Sequence, residues 1–249
     1  MSLKTLKDRT RILLKASHFP PACASGPILF SVGMIHSRDI PNLKSFAAVL
    51  QIFALSIPLS ISMHERSQNY LCYFLLTNYF LTLLVVFGVN DVYDYETDRR
   101  NPRKIASSYE GAVLDPAYHS DVLKAAYYST IFIIFSALVN FRRDNILATI
   151  LLVLLGWQYS APPLRLKEVP FLDSLSNGGI VFLAWFCGFS FSGLSITEIP
   201  SSSIVLSLCV VGIHALGAVV DSESDSAAGQ KTIATALGKR PAAIFAASC

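Results

Sequence analysis

Asn90-Asp91-Val92-Tyr93-Asp94-Tyr95-Glu96-Thr97-Asp98 follows roughly twenty residues that are almost wholly apolar, and it places one Asn and three Asp side chains at that boundary. Asp91, Asp94 and Asp98 are spaced i, i+3, i+7, and Asn90, Asp94 and Asp98 i, i+4, i+8, so on a helix they share one sector. Carboxylates this close repel unless a cation lies between them. Hard divalent cations take oxygen ligands, and Mg²⁺ commonly binds one or two carboxylates together with substrate phosphates. The stretch therefore predicts a Mg²⁺-diphosphate site at a membrane surface. A solvated acidic turn capping a membrane helix is the plainer alternative, and a second acidic cluster decides between them.

The surrounding composition belongs to a membrane protein. Of 249 residues, 53% are hydrophobic and 15% charged, and the mean hydropathy is +0.50. A net charge of +3 is too small for a nucleic-acid surface. Cys23, Cys72, Cys187, Cys209 and Cys249 show neither C-x-x-C nor a metal-ligand spacing with His, and read as small hydrophobic residues. The Lys- and Arg-rich N-terminus from Lys4 to Lys15 has no apolar core or small-residue cleavage site, so it reads as a basic membrane-surface anchor.

Apolar runs near the length of a bilayer crossing, roughly 20 residues, lie at Ser45–Met63, Tyr70–Val89, Val122–Asn140, Asn145–Tyr159, Leu175–Leu194 and Ser203–Val220. With these six spans, seventeen of the twenty Lys and Arg residues fall on one side, and Arg66, Arg142 and Arg143 on the other. The basic side is the cytoplasmic one, and the acidic stretch lies on it. Phe19–His36 carries Pro20, Pro21, Gly26 and Pro27 and is read as a broken or re-entrant segment, so residues 1–44 form a basic arm ahead of a membrane domain over 45–249. A seventh apolar run begins near Pro241 and meets the chain end at Cys249, which predicts an incomplete bundle. The expected fold is an all-α polytopic transmembrane helix bundle, with Asp-rich motifs at the cytoplasmic ends of the second and sixth helices.

The sixth span runs into Asp221-Ser222-Glu223-Ser224-Asp225, with Gly229, Lys231 and Thr232 following. Asp221 and Asp225 are i, i+4 and again sit where an apolar span ends on the basic side. Between the two clusters, Tyr159-Ser160-Ala161-Pro162-Pro163-Leu164-Arg165-Leu166-Lys167 ends a helix in two prolines, so Arg165 and Lys167 project from a stiff segment. Two acidic helix ends then clamp a metal-diphosphate, and Arg165, Lys167 and Lys231 neutralise the remaining phosphate charge.

These residues resemble the UbiA superfamily of intramembrane prenyltransferases. The first family signature, N-D-x-x-D-x-x-x-D, is matched by Asn90, Asp91, Asp94 and Asp98, and the second, D-x-x-x-D followed by G-x-x-T, by Asp221, Asp225, Gly229 and Thr232. The Tyr159–Lys167 segment resembles the family's Y-[ST]-x-P-P-x-[RK], and Tyr159 to Asn177 is most similar to the lycopene-elongase-like branch. The resemblance implies an enzyme in which Asn90, Asp91, Asp94, Asp98, Asp221 and Asp225 are catalytic and the five aspartates hold Mg²⁺. It implies diphosphate binding by Tyr159, Arg165, Lys167 and Lys231. The expected reaction is Mg²⁺-dependent transfer of an isoprenyl group from an allylic isoprenyl diphosphate to a lipophilic acceptor in the bilayer: an aromatic, a quinone precursor or a polyene. A membrane terpene cyclase and a truncated, diphosphate-binding but non-catalytic paralogue are the alternatives. CDP-alcohol phosphotransferases also pair intramembrane aspartates, but their D-G-x-x-A-R run is absent.

Breaking an allylic C–O bond leaves a cation that needs a dry, π-rich pocket. Tyr93, Trp157 and Tyr159 are candidate shields, or else interfacial belt residues. His214 is a candidate base or a satisfied bundle residue, and Asp173 with Asn177, i and i+4, either orient substrate or cap a helix.

Overall fold

The computed structural model describes residues 84–100, 113–191 and 193–249, together with 8, 9, 12, 13 and 16. The expected first span, most of the second and the Phe19–His36 segment lie outside them. Every regular element among the described residues is helical. A π-helical turn, Leu84–Gly88, runs into α1 (Val89–Tyr93) and α2 (Tyr95–Asp98). After a turn at Pro116–Tyr118 come α3 (His119–Asn140), α4 (Arg143–Ser160), α5 (Leu172–Phe191), α6 (Ser201–Ala228), α7 (Ile233–Leu237) and α8 (Lys239–Ser248).

Local chemistry explains the boundaries. Asp115 accepts the Ala117 N–H at 2.9 Å and starts the turn that leads into α3. Phe141 takes a left-handed conformation, φ 55°, and reverses the chain into α4. Ala161-Pro162-Pro163 ends α4, since proline has no N–H to continue the ladder. A capping box between Ser195 and Glu198 sets the turn before α6. Nothing in α6 stops the helix until Gly229, whose φ of 77° satisfies the last carbonyls, so α6 extends eight residues beyond the expected end at Val220.

The regions Pro116–Asn140, Leu172–Phe191 and Ser201–Ala228 are long and apolar enough to cross a membrane. The fourth expected span lies on α4, whose first turn carries Arg143 and Asp144. Burial follows the inverted rule of a lipid-facing bundle. On α3 the inward residues include Ala126, Ser129, Ser136 and Ala137, while Tyr128, Ile131 and Phe135 face outward. On α6, Ile204, Val205, Ile213 and Val220 are exposed, and Val211, Gly212, Ala215 and Ala218 are inside.

Helices α4, α5 and α6 pack side by side, α3 lies against α4, and α8 closes on α6. Trp185, Phe186 and Phe189 of α5 form the main core with Ile133, Leu152 and Val153. Buried polar groups act as ties between helices: Asn145 Nδ2 donates to the Cys187 carbonyl at 2.7 Å, and Trp157 Nε1 to Thr130 Oγ1 at 2.8 Å. In the N-terminal arm, Arg9 pairs with Asp121 at 3.3 Å, and Ala16 packs against Leu114 and Val122.

The α5–α6 contact depends on Gly178. A Cβ there would lie 2.3 Å from Val211 Cγ2 and 2.8 Å from the Ser207 carbonyl oxygen. Gly178→Ala is expected to lower the thermal midpoint of the solubilised chain, at a cost of about 1–3 kcal/mol from forced separation of the helices. Gly217→Ala, where a Cβ meets nothing within 4 Å, should leave the midpoint unchanged or slightly raised. Equal effects of the two substitutions would contradict the close approach.

Candidate functional site

Both acidic clusters face a cavity of about 380 Å³ walled by α1, α2, the end of α4, the start of α5, the last turns of α6 and the segment beyond it. The first cluster is a helix interrupted at Asp94, whose φ of −98° and ψ of −1° divide α1 from α2. Backbone bonds cross the break, from Asp94 N to Asn90 O and from Asp98 N to Asp94 O. Asn90, Asp94 and Asp98 therefore stay in register and line the cavity, as the i, i+4, i+8 spacing requires. Asp91 is buried but not on the cavity wall.

Asp94 is tied to two other elements of the cavity wall. Its Oδ2 accepts from Asn90 Nδ2 at 2.7 Å and is ion-paired with Lys167 Nζ, and both members of the pair are nearly buried. Asn90 also donates to Ser160 Oγ at 2.9 Å, which joins α1 to the end of α4. Asp94 Oδ1 is buried with no hydrogen-bond partner. An orphaned carboxylate oxygen costs about 1–3 kcal/mol or more, so a positive group at this oxygen would stabilise it.

The second cluster is carried on the last two turns of α6. Asp221 and Asp225 both line the cavity, as do Gln230, Lys231 and Thr232 beyond the Gly229 cap. Among the described residues, no three His, Cys, Asp or Glu side chains are gathered to hold one metal ion. The two clusters form separate walls of one cavity, not a ready-made cage.

The proline loop divides its two cations. Lys167 reaches the cavity and pairs with Asp94. Arg165, in a left-handed conformation with φ 41°, turns to Glu168 instead and is not on the wall. The hydrogen bond from Arg165 holds the Glu168 carboxyl below its usual range, and the same bond raises the guanidinium above its own.

Of the three aromatic candidates, Tyr159 lines the cavity. Tyr93 and Trp157 pack instead against Val89, Ala126 and Ala161. Tyr159 Oη accepts from Asn177 Nδ2 at 3.0 Å and lies 3.3 Å from His214 Nε2, while His214 Nδ1 lies 3.3 Å from Ser174 Oγ. His214 is thus both hydrogen-bonded and on the cavity wall.

Asp173, 1% exposed, has a role that sequence reasoning only half located. One oxygen accepts the Ser174 N–H at 2.7 Å at the start of α5, and the other accepts the Ile233 N–H at 2.9 Å, sixty residues away. It caps two helices at once and fixes the segment carrying Lys231 and Thr232. The i, i+4 spacing with Asn177 signalled a structured helix start, but nothing local indicated Ile233.

The model of the UbiA prenyltransferase family matches residues 49–249. The C(50) β-cyclic carotenoids biosynthesis protein LbtBC of Dietzia sp. is 36% identical over 169 residues, 67% of this chain and 38% of that protein. The lycopene elongase/hydratase of Corynebacterium glutamicum is 37% identical over 165 residues, 64% of this chain and 55% of that one. That of Haloarcula japonica is 31% identical over 228 residues, 90% and 66% of the two chains. The first two matches thus cover about two-fifths and just over half of those relatives' length. A UbiA homolog from Archaeoglobus fulgidus bound to DMAPP and Mg²⁺ shares the fold, with a TM-score of 0.62 at 18% identity, over 99% of this chain and 73% of that one. The same homolog bound to GPP and Mg²⁺ superposes with a TM-score of 0.61, at 18% identity over 99% and 72%.

Asp173→Ala leaves the Ile233 N–H without an acceptor and is expected to destabilise the chain by about 1–3 kcal/mol. Asp173→Asn, which keeps one acceptor oxygen, should cost less. Thermal midpoints of the two variants check this, and an Ala variant as stable as the parent would contradict the clamp.

Proposed function

The chain belongs to the UbiA prenyltransferase family, and from that premise we propose that it transfers an isoprenyl group from an allylic isoprenyl diphosphate to a polyene acceptor within the bilayer. Members of the family are integral membrane proteins, and three helices here have the length and composition to cross. The polyene, rather than an aromatic or quinone precursor, is favoured by the sequence similarity to carotenoid-related proteins. The distribution of Lys and Arg supports a site near the cytoplasmic face.

The observation that carries this reading is the orphaned Asp94 Oδ1 in a cavity that Asp98, Asp221 and Asp225 also line. An all-carboxylate set suits a hard cation, and Mg²⁺ takes only one or two protein carboxylates when phosphates complete its shell. Two facing acidic walls without a closed cage fit that requirement. Asp94 and Asp98 on one wall and Asp221 and Asp225 on the other are the proposed Mg²⁺ ligands, and Asp91, off the wall, is left out. Bound there, Mg²⁺ supplies positive charge that stabilises the departing diphosphate more than the intact ester.

The chain's own groups do the rest. Lys167 and Lys231 bind phosphate oxygens as point charges. Asn90 holds Asp94 in position by its 2.7 Å bond. Arg165 contributes at longer range, since Glu168 already neutralises it. Gly217 and Ala218 leave space beside the acidic wall for the prenyl chain. Heterolysis of the allylic C–O bond leaves the electron pair on the diphosphate, and the acceptor's π bond attacks the resulting cation.

Diphosphate release from a panel of allylic diphosphates by the solubilised chain is expected to require Mg²⁺ and to stop in EDTA. Asp94→Asn and Asp221→Asn should each reduce it about a hundredfold or more, the scale set by loss of one preorganised charge contact. Release unaffected by either substitution would remove the basis for a two-walled diphosphate site.

A further inference from the structure

Prenyl transfer to an alkene ends in a second cation, now on the acceptor. That cation either loses a proton to give a new alkene or captures water to give an alcohol. A proton acceptor next to the reacting carbon decides between these outcomes. Most of the described groups on the cavity wall are unsuited to that role. Asp173 is held by two N–H donors, Glu168 by Arg165, and Asp94 by Lys167. The remaining aspartates belong to the diphosphate end.

The Tyr159–His214 pair differs. Asn177 Nδ2 donates to the Asp173 carbonyl at 2.9 Å, and a carbonyl can only accept, so the amide orientation is set and its second hydrogen points at Tyr159 Oη at 3.0 Å. Tyr159 is therefore an acceptor on that side, and its own hydrogen is available to His214 Nε2, 3.3 Å away. The Nδ1–H of a neutral His214 then donates to Ser174 Oγ, at 3.3 Å. Three helices meet in this chain of bonds: α4 supplies Tyr159, α5 supplies Ser174 and Asn177, and α6 supplies His214. His214 precedes Asp221 by seven residues, about 10 Å along the helix, so the pair lies deeper than the diphosphate end.

We propose that Tyr159 and His214 form a proton relay that takes the proton lost by the cationic prenylated acceptor, and so directs the reaction to alkene instead of alcohol. The inference rests on the prenyl-transfer reading above. In the step, a C–H bond next to the cationic carbon breaks and its electron pair becomes the new C=C bond. The proton bonds to Tyr159 Oη while the original Tyr159 O–H proton passes to His214 Nε2. His214 becomes an imidazolium whose Nδ1–H remains on Ser174, and it later gives its extra proton to water. Asn177 is a positioning residue that keeps the phenol oxygen turned to accept.

The test counts alkene and alcohol products per diphosphate released by the membrane-reconstituted chain, supplied with an allylic diphosphate and a polyene. Tyr159→Phe and His214→Gln are each expected to lower alkene per diphosphate released by about tenfold or more, with alcohol rising. Ser174→Ala should shift the ratio the same way by less. An unchanged alkene share in either of the first two variants overturns the relay and makes the departing diphosphate the base. Loss of diphosphate release in either variant also overturns it, because that residue would then serve ionisation. Imidazole ¹⁵N spectra of the unaltered chain give a reading independent of whether the variants fold. A neutral His214 protonated at Nδ1 is expected, and one protonated at Nε2 overturns the proposal. Failure of the unaltered chain to release any diphosphate would sink the prenyl-transfer reading itself, not the relay alone.

Discussion

A carboxylate buried at the edge of an apolar bundle has to be neutralised, and at Asp94 that requirement joins distant parts of the chain. Removing one partner from a buried ion pair commonly costs about 3–5 kcal/mol, so the Lys167–Asp94 contact ties the proline loop to the first acidic helix. Asn90 reinforces the tie by bonding both Asp94 and Ser160. The stiffness of Ala161-Pro162-Pro163 follows from the same need, since a flexible loop would lose entropy each time the lysine docked. One oxygen of Asp94 is nevertheless left without a partner. The fold holds the charge in place, and the proposed Mg²⁺ would complete its neutralisation at that atom.

The opposite wall of the cavity is held by backbone contacts. Gly178 lets α5 and α6 approach until side chain and carbonyl touch, and Gly212 lets α8 approach α6, with the Ala246 oxygen 2.8 Å from where a Cβ would lie. Close helix contact through small residues is how a bundle packs when lipid gives no hydrophobic drive to associate. Asp173 then fixes the chain beyond α6 through the Ile233 N–H. The two cavity-lining lysines are thus each placed by a buried aspartate, Lys167 by direct pairing and Lys231 through the segment that Asp173 anchors.

Much of this was readable in advance wherever the controlling interactions are local. The i, i+4, i+8 spacing of Asn90, Asp94 and Asp98 put them on one wall, and the helix break at Asp94 left that register intact. Asp91 is buried off the wall although its i, i+3, i+7 spacing with Asp94 and Asp98 put it in the same sector. Helices α3 to α6 follow the apolar runs, and α6 outlasts its run because polar residues do not stop a helix and Gly229 does. The side-chain partners were less legible. Arg165 was expected at the diphosphate but is paired with Glu168, an i, i+3 relation visible in the sequence yet indistinguishable there from an unpaired loop charge. The Asp173–Ile233 bond and the Tyr159–His214 contact span 60 and 55 residues, and no local pattern encodes a partner at that separation.

The two acidic helix ends, with Asp94 and Asp221 lying 127 residues apart in sequence, are proposed to act as one divalent-cation site completed by a diphosphate. Electron paramagnetic resonance of Mn²⁺ tests it most directly, titrating the purified chain with the metal in the presence of inorganic pyrophosphate. Bound Mn²⁺ should need pyrophosphate and be lost in Asp94→Asn and in Asp221→Asn alike. Mn²⁺ bound equally well after either substitution, or bound without pyrophosphate, would contradict it.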